Sequence, residues 1–151
     1  MAADVKTLAD AIATAINTAA IFTATAAFTY DPAADLDDLS TERIDVWEDV
    51  GRTKQRANRT QVRVTQPIGV TIRKRFTGSD LSGEGIAATA LDAYASKCDD
   101  LENLLWRGFV SALNAWVDSV EVREIYSPED LRENCMFRHT VIFTCSWHIN
   151  K

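Results

Sequence analysis

Residues 59–76 read RTQVRVTQPIGVTIRKRF, and the fold turns on how this stretch is taken. Val62, Val64, Ile68, Val70 and Ile72 fall on even positions, while Arg63, Thr65, Thr71, Arg73 and Arg75 fall on odd ones. A period of two marks a half-buried strand, because successive side chains leave opposite faces of a sheet. Pro67 and Gly69 interrupt the pattern, which predicts a bulge or bend and a place at the edge of the sheet. The stretch is also basic. Arg52 to Arg75 holds eight Lys or Arg and no acid, whereas Asp31 to Asp49 holds eight acids and one base, Arg43.

Toward the N-terminus, Gly51–Asn58 (GRTKQRAN) is polar and too long for a tight turn, so it reads as an exposed loop. Ile44, Val46 and Val50 alternate with Asp45, Trp47 and Asp49 in a second strand. Asp31–Thr41 (DPAADLDDLST) opens on Asp-Pro turn chemistry and is an acidic loop. Phe22, Ala24, Ala26, Phe28 and Tyr30 alternate with threonines over 20–30, the pattern of a first strand with weak propensity. Val5, Leu8, Ile12, Ile16 and Ala19 recur at helical spacing and predict an amphipathic helix over 3–18.

Toward the C-terminus, Thr77–Gly85 is rich in Gly and Ser and ends the long strand. Leu91, Tyr94, Cys98, Leu101, Leu105, Phe109, Leu113 and Trp116 recur at steps of three and four, which predicts a main helix over 86–116 kinked near Gly108. Val120, Val122 and Ile125–Tyr126 mark a fourth strand. Ser127-Pro128-Glu129-Asp130 is N-terminal helix chemistry and starts a short helix reaching about Asn134. Val141, Phe143, Cys145, Trp147 and Ile149 alternate on a final strand, 137–149.

The resulting order is α, β, β, β, α, β, short α, β. It implies an α+β fold, a mainly antiparallel sheet of four to five strands with two main helices packed on one face. Strands one to three are expected to pair as an antiparallel meander. The 151 residues fit one domain, 1–151, with a real core. No apolar run reaches transmembrane length, and the N-terminus lacks the basic start of a signal peptide, so the chain is expected to work in a cytosol. Cys98, Cys135 and Cys145 read as small buried hydrophobes rather than a disulfide framework.

Few residues invite catalysis. Cys135, His139, Cys145 and His148 fit no trusted zinc spacing, and strand alternation sends His148 to the face opposite Cys145. Asp37, Asp38, Glu48 and Asp49 could do acid–base work but have no histidine nearby, and they read as a solvated acidic surface. Phosphate loops and nucleophile elbows are absent from the sequence. The chain is therefore expected not to be an enzyme and to use no metal or cofactor. Trp106 and Trp116 are assigned to the helix–sheet core. Trp47, on the charged face of its strand, is either a cover over a neighbouring loop or an anchor in a protein interface.

The segregated charge carries the functional expectation. Two solvated loops that happen to differ would explain it. The sharper alternative is one negative and one positive patch on each copy, so that copies dock head to tail and close into a ring. The candidate interface residues are Asp37, Asp38, Trp47, Asp49, Arg52, Lys54, Arg56 and Arg59. A nucleic-acid-binding module using residues 52–75 is the alternative of a different class. Against it stand the net charge of −6 and a basic run without interleaved aromatics.

The layout resembles the tail terminator (tail completion) proteins of long-tailed bacteriophages. The likeness lies in the N-terminal helix and acidic loop, the short strand ERIDVWEDV (Glu42–Val50) and the Arg-bearing segment GRTKQRANR (Gly51–Arg59). It continues through the long strand Thr60–Arg75, the helix stretch LENLLW (Leu101–Trp106) and the final strand RHTVIFTCSWHI (Arg138–Ile149). The resemblance implies a hexameric ring that caps the tail tube, stops its polymerisation and presents a surface to the head connector. Subunits would meet through sheet edges and loops, and acidic residues could line a lumen through which DNA passes without specific binding. Neck and minor tail proteins of the same fold are the nearest alternatives. The implied location is the virion, assembled in the host cytoplasm.

Overall fold

The computed structural model describes residues 3–29, 42–76, 81–82, 85–86, 88–106, 108–110, 113–124 and 136–150. Its centre is β4 (Gln61–Arg75), which pairs antiparallel with β9 (Met136–Asn150) along its whole length, from Gln61↔Asn150 to Arg75↔Met136. On its other side β4 meets β2 (Glu42–Glu48) and β3 (Thr53–Arg56), both antiparallel. Beyond β9 lie β8 (Ala115–Glu124) and β7 (Phe109–Val110). A two-residue β1 (Ala27–Phe28) borders β2, which brings the sheet to seven strands. The residues Leu81–Ser82 (β5) and Gly85–Ile86 (β6) form a separate small hairpin. The fold is α+β, with a mostly antiparallel sheet.

The edge position expected for β4 is overturned: it is the inner strand on which the others align. Its register with β9 runs unbroken through Pro67 and Gly69, so the expected bulge is absent too. The reason lies on the opposite side. β2 stops at Glu48 opposite Ile68, and β3 begins at Thr53 opposite Thr65, so Pro67 faces a gap between them. Its carbonyl accepts from Asp49 N (3.2 Å) on that side, where no ladder bond is asked of its nitrogen. Buried Gln66 braces the corner, its Nε2 donating to the carbonyls of Asp49 (3.0 Å) and Pro67 (2.8 Å). Gly51 completes the corner at φ 110°, a conformation that favours glycine.

Gly69 has a different purpose. Trp47 lies opposite it and its indole rests where a side chain would be, so a Cβ on Gly69 would fall inside the ring. The indole Nε1 donates to Thr71 Oγ1 (2.9 Å), which lies 3.3 Å from Thr140 Oγ1 on β9.

Both helices cover the face that carries the even residues of β4. α1 (Ala3–Ala19) buries Val5, Leu8, Ile12 and Ile16 of the expected stripe, together with Ala9 and Ala13, and leaves Ala19 exposed. It ends where Asn17 takes the backbone of Ala26 with both side-chain atoms (Nδ2 to O 3.0 Å; N to Oδ1 2.8 Å). That clamp turns the chain immediately, so the strand expected over 20–30 shrinks to Ala27–Phe28. It pairs with β2 in parallel, not in a meander. α2 (Ala88–Leu104) buries Tyr94, Cys98 and Leu101. Tyr94 is a hub, its ring set edge-on to Phe137 and Phe76 and its hydroxyl donating to buried Glu42 Oε2 (2.8 Å). Burial, reinforced by that hydrogen bond, pushes the hydroxyl well above its usual range. Burial likewise raises the Cys98 and Cys145 thiols to about 12.

The main helix is shorter than the spacing over 86–116 suggested. Bonds from Trp106 N to Asn103 O (3.3 Å) and Gly108 N to Leu105 O (2.9 Å) close it, and the chain continues as β7 and β8, with Asn114 at φ 51° in the turn between them. Past Leu104 the three-and-four spacing no longer describes a helix face. Trp106 and Trp116, both assigned to the helix–sheet core, are 53% and 55% exposed. The short helix expected over 127–134, the acidic loop over 31–41 and the end of the fourth strand at Ile125–Tyr126 lie outside the described residues.

Candidate interaction surface

Charge decides which residues are spoken for. Asp45, on the face away from the helices, receives Arg43 Nε (3.0 Å) and Arg73 Nη1 (2.9 Å). Both Asp45 and Arg73 are buried. Burial lowers the Arg73 pKa, and Asp45 offsets this. Asp49 takes Arg123 Nη2 of β8 at 2.9 Å, a bond that raises the Arg123 pKa. Arg52 reaches back to Asp4 at the start of α1 (2.8 Å) and sits over the Trp147 ring, 5.7 Å from its centre. Arg63 meets Asp118 of β8 at 3.0 Å. Acidic and basic segments therefore touch within one copy at Asp45–Arg73, while Asp49, Arg52 and Arg63 are paired with residues outside the two segments.

The rest of the basic segment is a hairpin and, at the other end of β4, Lys74 and Arg75. The expected loop 51–58 instead contains β3, whose four residues are all exposed, hydrogen-bonded to β4 from Thr53↔Thr65 to Arg56↔Val62. Asn58 closes it: its Oδ1 accepts from Thr60 N (2.9 Å), Gln61 N (2.9 Å) and Thr60 Oγ1 (3.2 Å), while Ala57 N donates to Gln61 O (3.1 Å). A polar strand with no buried side has no hydrophobic period, and so left no trace in the sequence pattern. Lys54, Arg56 and Arg59 stand exposed on this hairpin, with no carboxylate partner among the described residues.

The structure thus brings Lys54, Arg56 and Arg59 together and withdraws Asp49 and Arg52 into internal ion pairs. Trp47 is half-buried and covers its own sheet at Gly69. Asp37 and Asp38 lie outside the described residues. The cysteine–histidine quartet does not converge. His139 and Cys145 face the helices, and His148 is exposed on the other face. Six residues of extended strand separate His139 from Cys145, about 20 Å. Cys135 is outside the described residues.

Pattern reading missed a groove on the helix side of β8. Val120 and Val122 line it opposite α2, with Glu102, Asn103 and Trp106, around a space of about 250 Å³. Glu102 Oε1 lies 3.2 Å from Nε2 of buried His139. The alternation of Val120 and Val122 was legible, but the premature end of α2 that leaves them half-covered was not.

No protein-family model matches the chain, and no curated protein matches it. No described helix is long and apolar enough to cross a membrane.

Proposed function

We propose that this chain is a structural subunit of a bacteriophage tail or neck. Its copies assemble into a ring, hexameric by the resemblance described above, that caps the tail tube, ends tube polymerisation and presents the head-attachment surface. Its location is then the virion and its partners are itself, the tube protein and the connector, with DNA passing through the lumen without specific binding. Another neck or minor tail ring of the same fold would use the same surfaces.

One observation carries this reading. In a chain of net charge −6, three cations are held exposed on a closed hairpin while Arg43, Arg52, Arg63, Arg73 and Arg123 are each engaged with a carboxylate of the same copy. A positive projection on a negative body fits a second copy of that body, and such complementarity fixes which face meets which. The test is electron microscopy of the purified protein, alone and with polymerising tube protein. Rings with a central hole, or tubes of arrested length, are expected. Isolated protomers that leave tube growth unchanged would overturn it.

The same hairpin supports a second reading, a clamp on a nucleic-acid backbone. It predicts DNA binding that falls steeply with salt, and absence of binding at low salt removes it.

A further inference from the structure

We propose that β3 of one copy adds as a strand to the free edge of β8 in the next copy, with Lys54 and Arg56 entering the groove beside α2. This rests on the reading that copies meet head to tail, and it names the surface they meet on. Among the described residues β3 pairs only with β4, and β8 beyond Val117, whose N–H is taken by Gly108 O, pairs only with β9, so both strands present unpaired main-chain groups. Such edges are templates for strand addition, in which backbone hydrogen bonds supply affinity and alternate side chains supply specificity.

The side chains match as well. Lys54 lies opposite Val64 and Arg56 opposite Val62, so both cations stand on the helix-bearing face. Val120 lies opposite Phe143 and Val122 opposite Val141, which places the groove on the same face. A rotation that keeps the helices on one side therefore sets Lys54 and Arg56 beside Val120 and Val122 and below α2. There Glu102 Oε1 lies 3.2 Å from His139 Nε2, and Asp99 lines the adjoining hollow of about 190 Å³, which shares Glu102 and Val122 with the first. Positive charge on β3 opposes pairing between two β3 edges, and the acidic groove accepts what β3 rejects. The contact is heterologous, with different surfaces on the two copies, as a ring requires.

The test compares the full chain with K54E/R56E and D99K/V122K by sedimentation velocity, alone and mixed, with circular dichroism to check folding. Each variant alone is expected to weaken association about tenfold or more. The mixture is expected to regain association, because each variant retains the half that the other has lost. If D99K/V122K fails to fold, Asp99→Asn supplies the same comparison with a smaller weakening. Wild-type association by D99K/V122K or by D99N would overturn this docking site while leaving the ring intact. A mixture that fails to associate would also overturn the site. A wild-type chain monomeric at every concentration would overturn both.

Discussion

β4 passes through two environments. From Ile68 to Arg73 every residue is buried, sandwiched between the helix side and the Trp47, Asp45 and Thr140 side. From Gln61 to Arg63 the strand is half-buried or exposed, although its pairing with β3 and β9 continues without a break. Backbone hydrogen bonding is the same in both halves, and side-chain burial is not. The buried half fixes the fold. The open half, held by its ladder and by the Asn58 turn, leaves its side chains at the surface.

The largest expected effect of breaking this contrast is in the core. Phe143→Ala, opposite Ile68, is expected to cost about 3–5 kcal/mol in urea unfolding, whereas Val62→Ala in the open half stays within roughly 0.5–1 kcal/mol. Similar losses at both sites would abolish the distinction. Gly69→Val is expected next, at about 1–3 kcal/mol, because its side chain displaces the Trp47 indole and its bond to Thr71. A neutral result would mean that Trp47 does not need the saddle.

The core also sets an alkaline limit. Cys98 and Cys145 keep their protons up to about 12 in the folded chain. Unfolded thiols ionise near 8.5, so above that pH the unfolded state binds fewer protons and stability falls as pH rises. The expected slope is about 1.4 kcal/mol per pH unit for each fully responding thiol, and the loss ends near the folded value. Cys98→Ala with Cys145→Ala should flatten this first alkaline step in a series of urea titrations, while the later one due to Tyr94 remains. An unchanged slope would place the proton linkage elsewhere. The smallest stability effect belongs to Arg56→Glu with Arg59→Glu, within about 0.5 kcal/mol, because both residues are exposed on the hairpin.

Elements with a buried face were legible in the sequence. The stretches read as 3–18 and 137–149 appear as Ala3–Ala19 and Met136–Asn150. In both, burial imposes a period on the side chains. Where burial gives no period, the signal fails: β3 has four exposed residues and reads as loop. Where a local bond overrides the period, it misleads. The Asn17 clamp cuts short the alternation of 20–30, and the turn at Leu105–Gly108 ends a helix whose apolar spacing ran on. Pro67 was misleading for a third reason, since the gap that tolerates it belongs to the neighbouring strands. For the candidate surface, Lys54, Arg56 and Arg59 could be picked out by charge. The partners of Arg52, Arg63 and Arg73 could not, because Asp4, Asp118 and Asp45 are brought to them only by tertiary structure.

The most direct test is the solution mass, by light scattering at matched concentration, of the wild-type chain and of the chain carrying Arg56→Glu with Arg59→Glu. The expected result is a multiple of 16.7 kDa for the wild type and a shift toward the 16.7 kDa protomer for the variant, with the far-UV circular dichroism unchanged. Equal masses for the two proteins would contradict the assignment of the open hairpin as the surface through which copies meet.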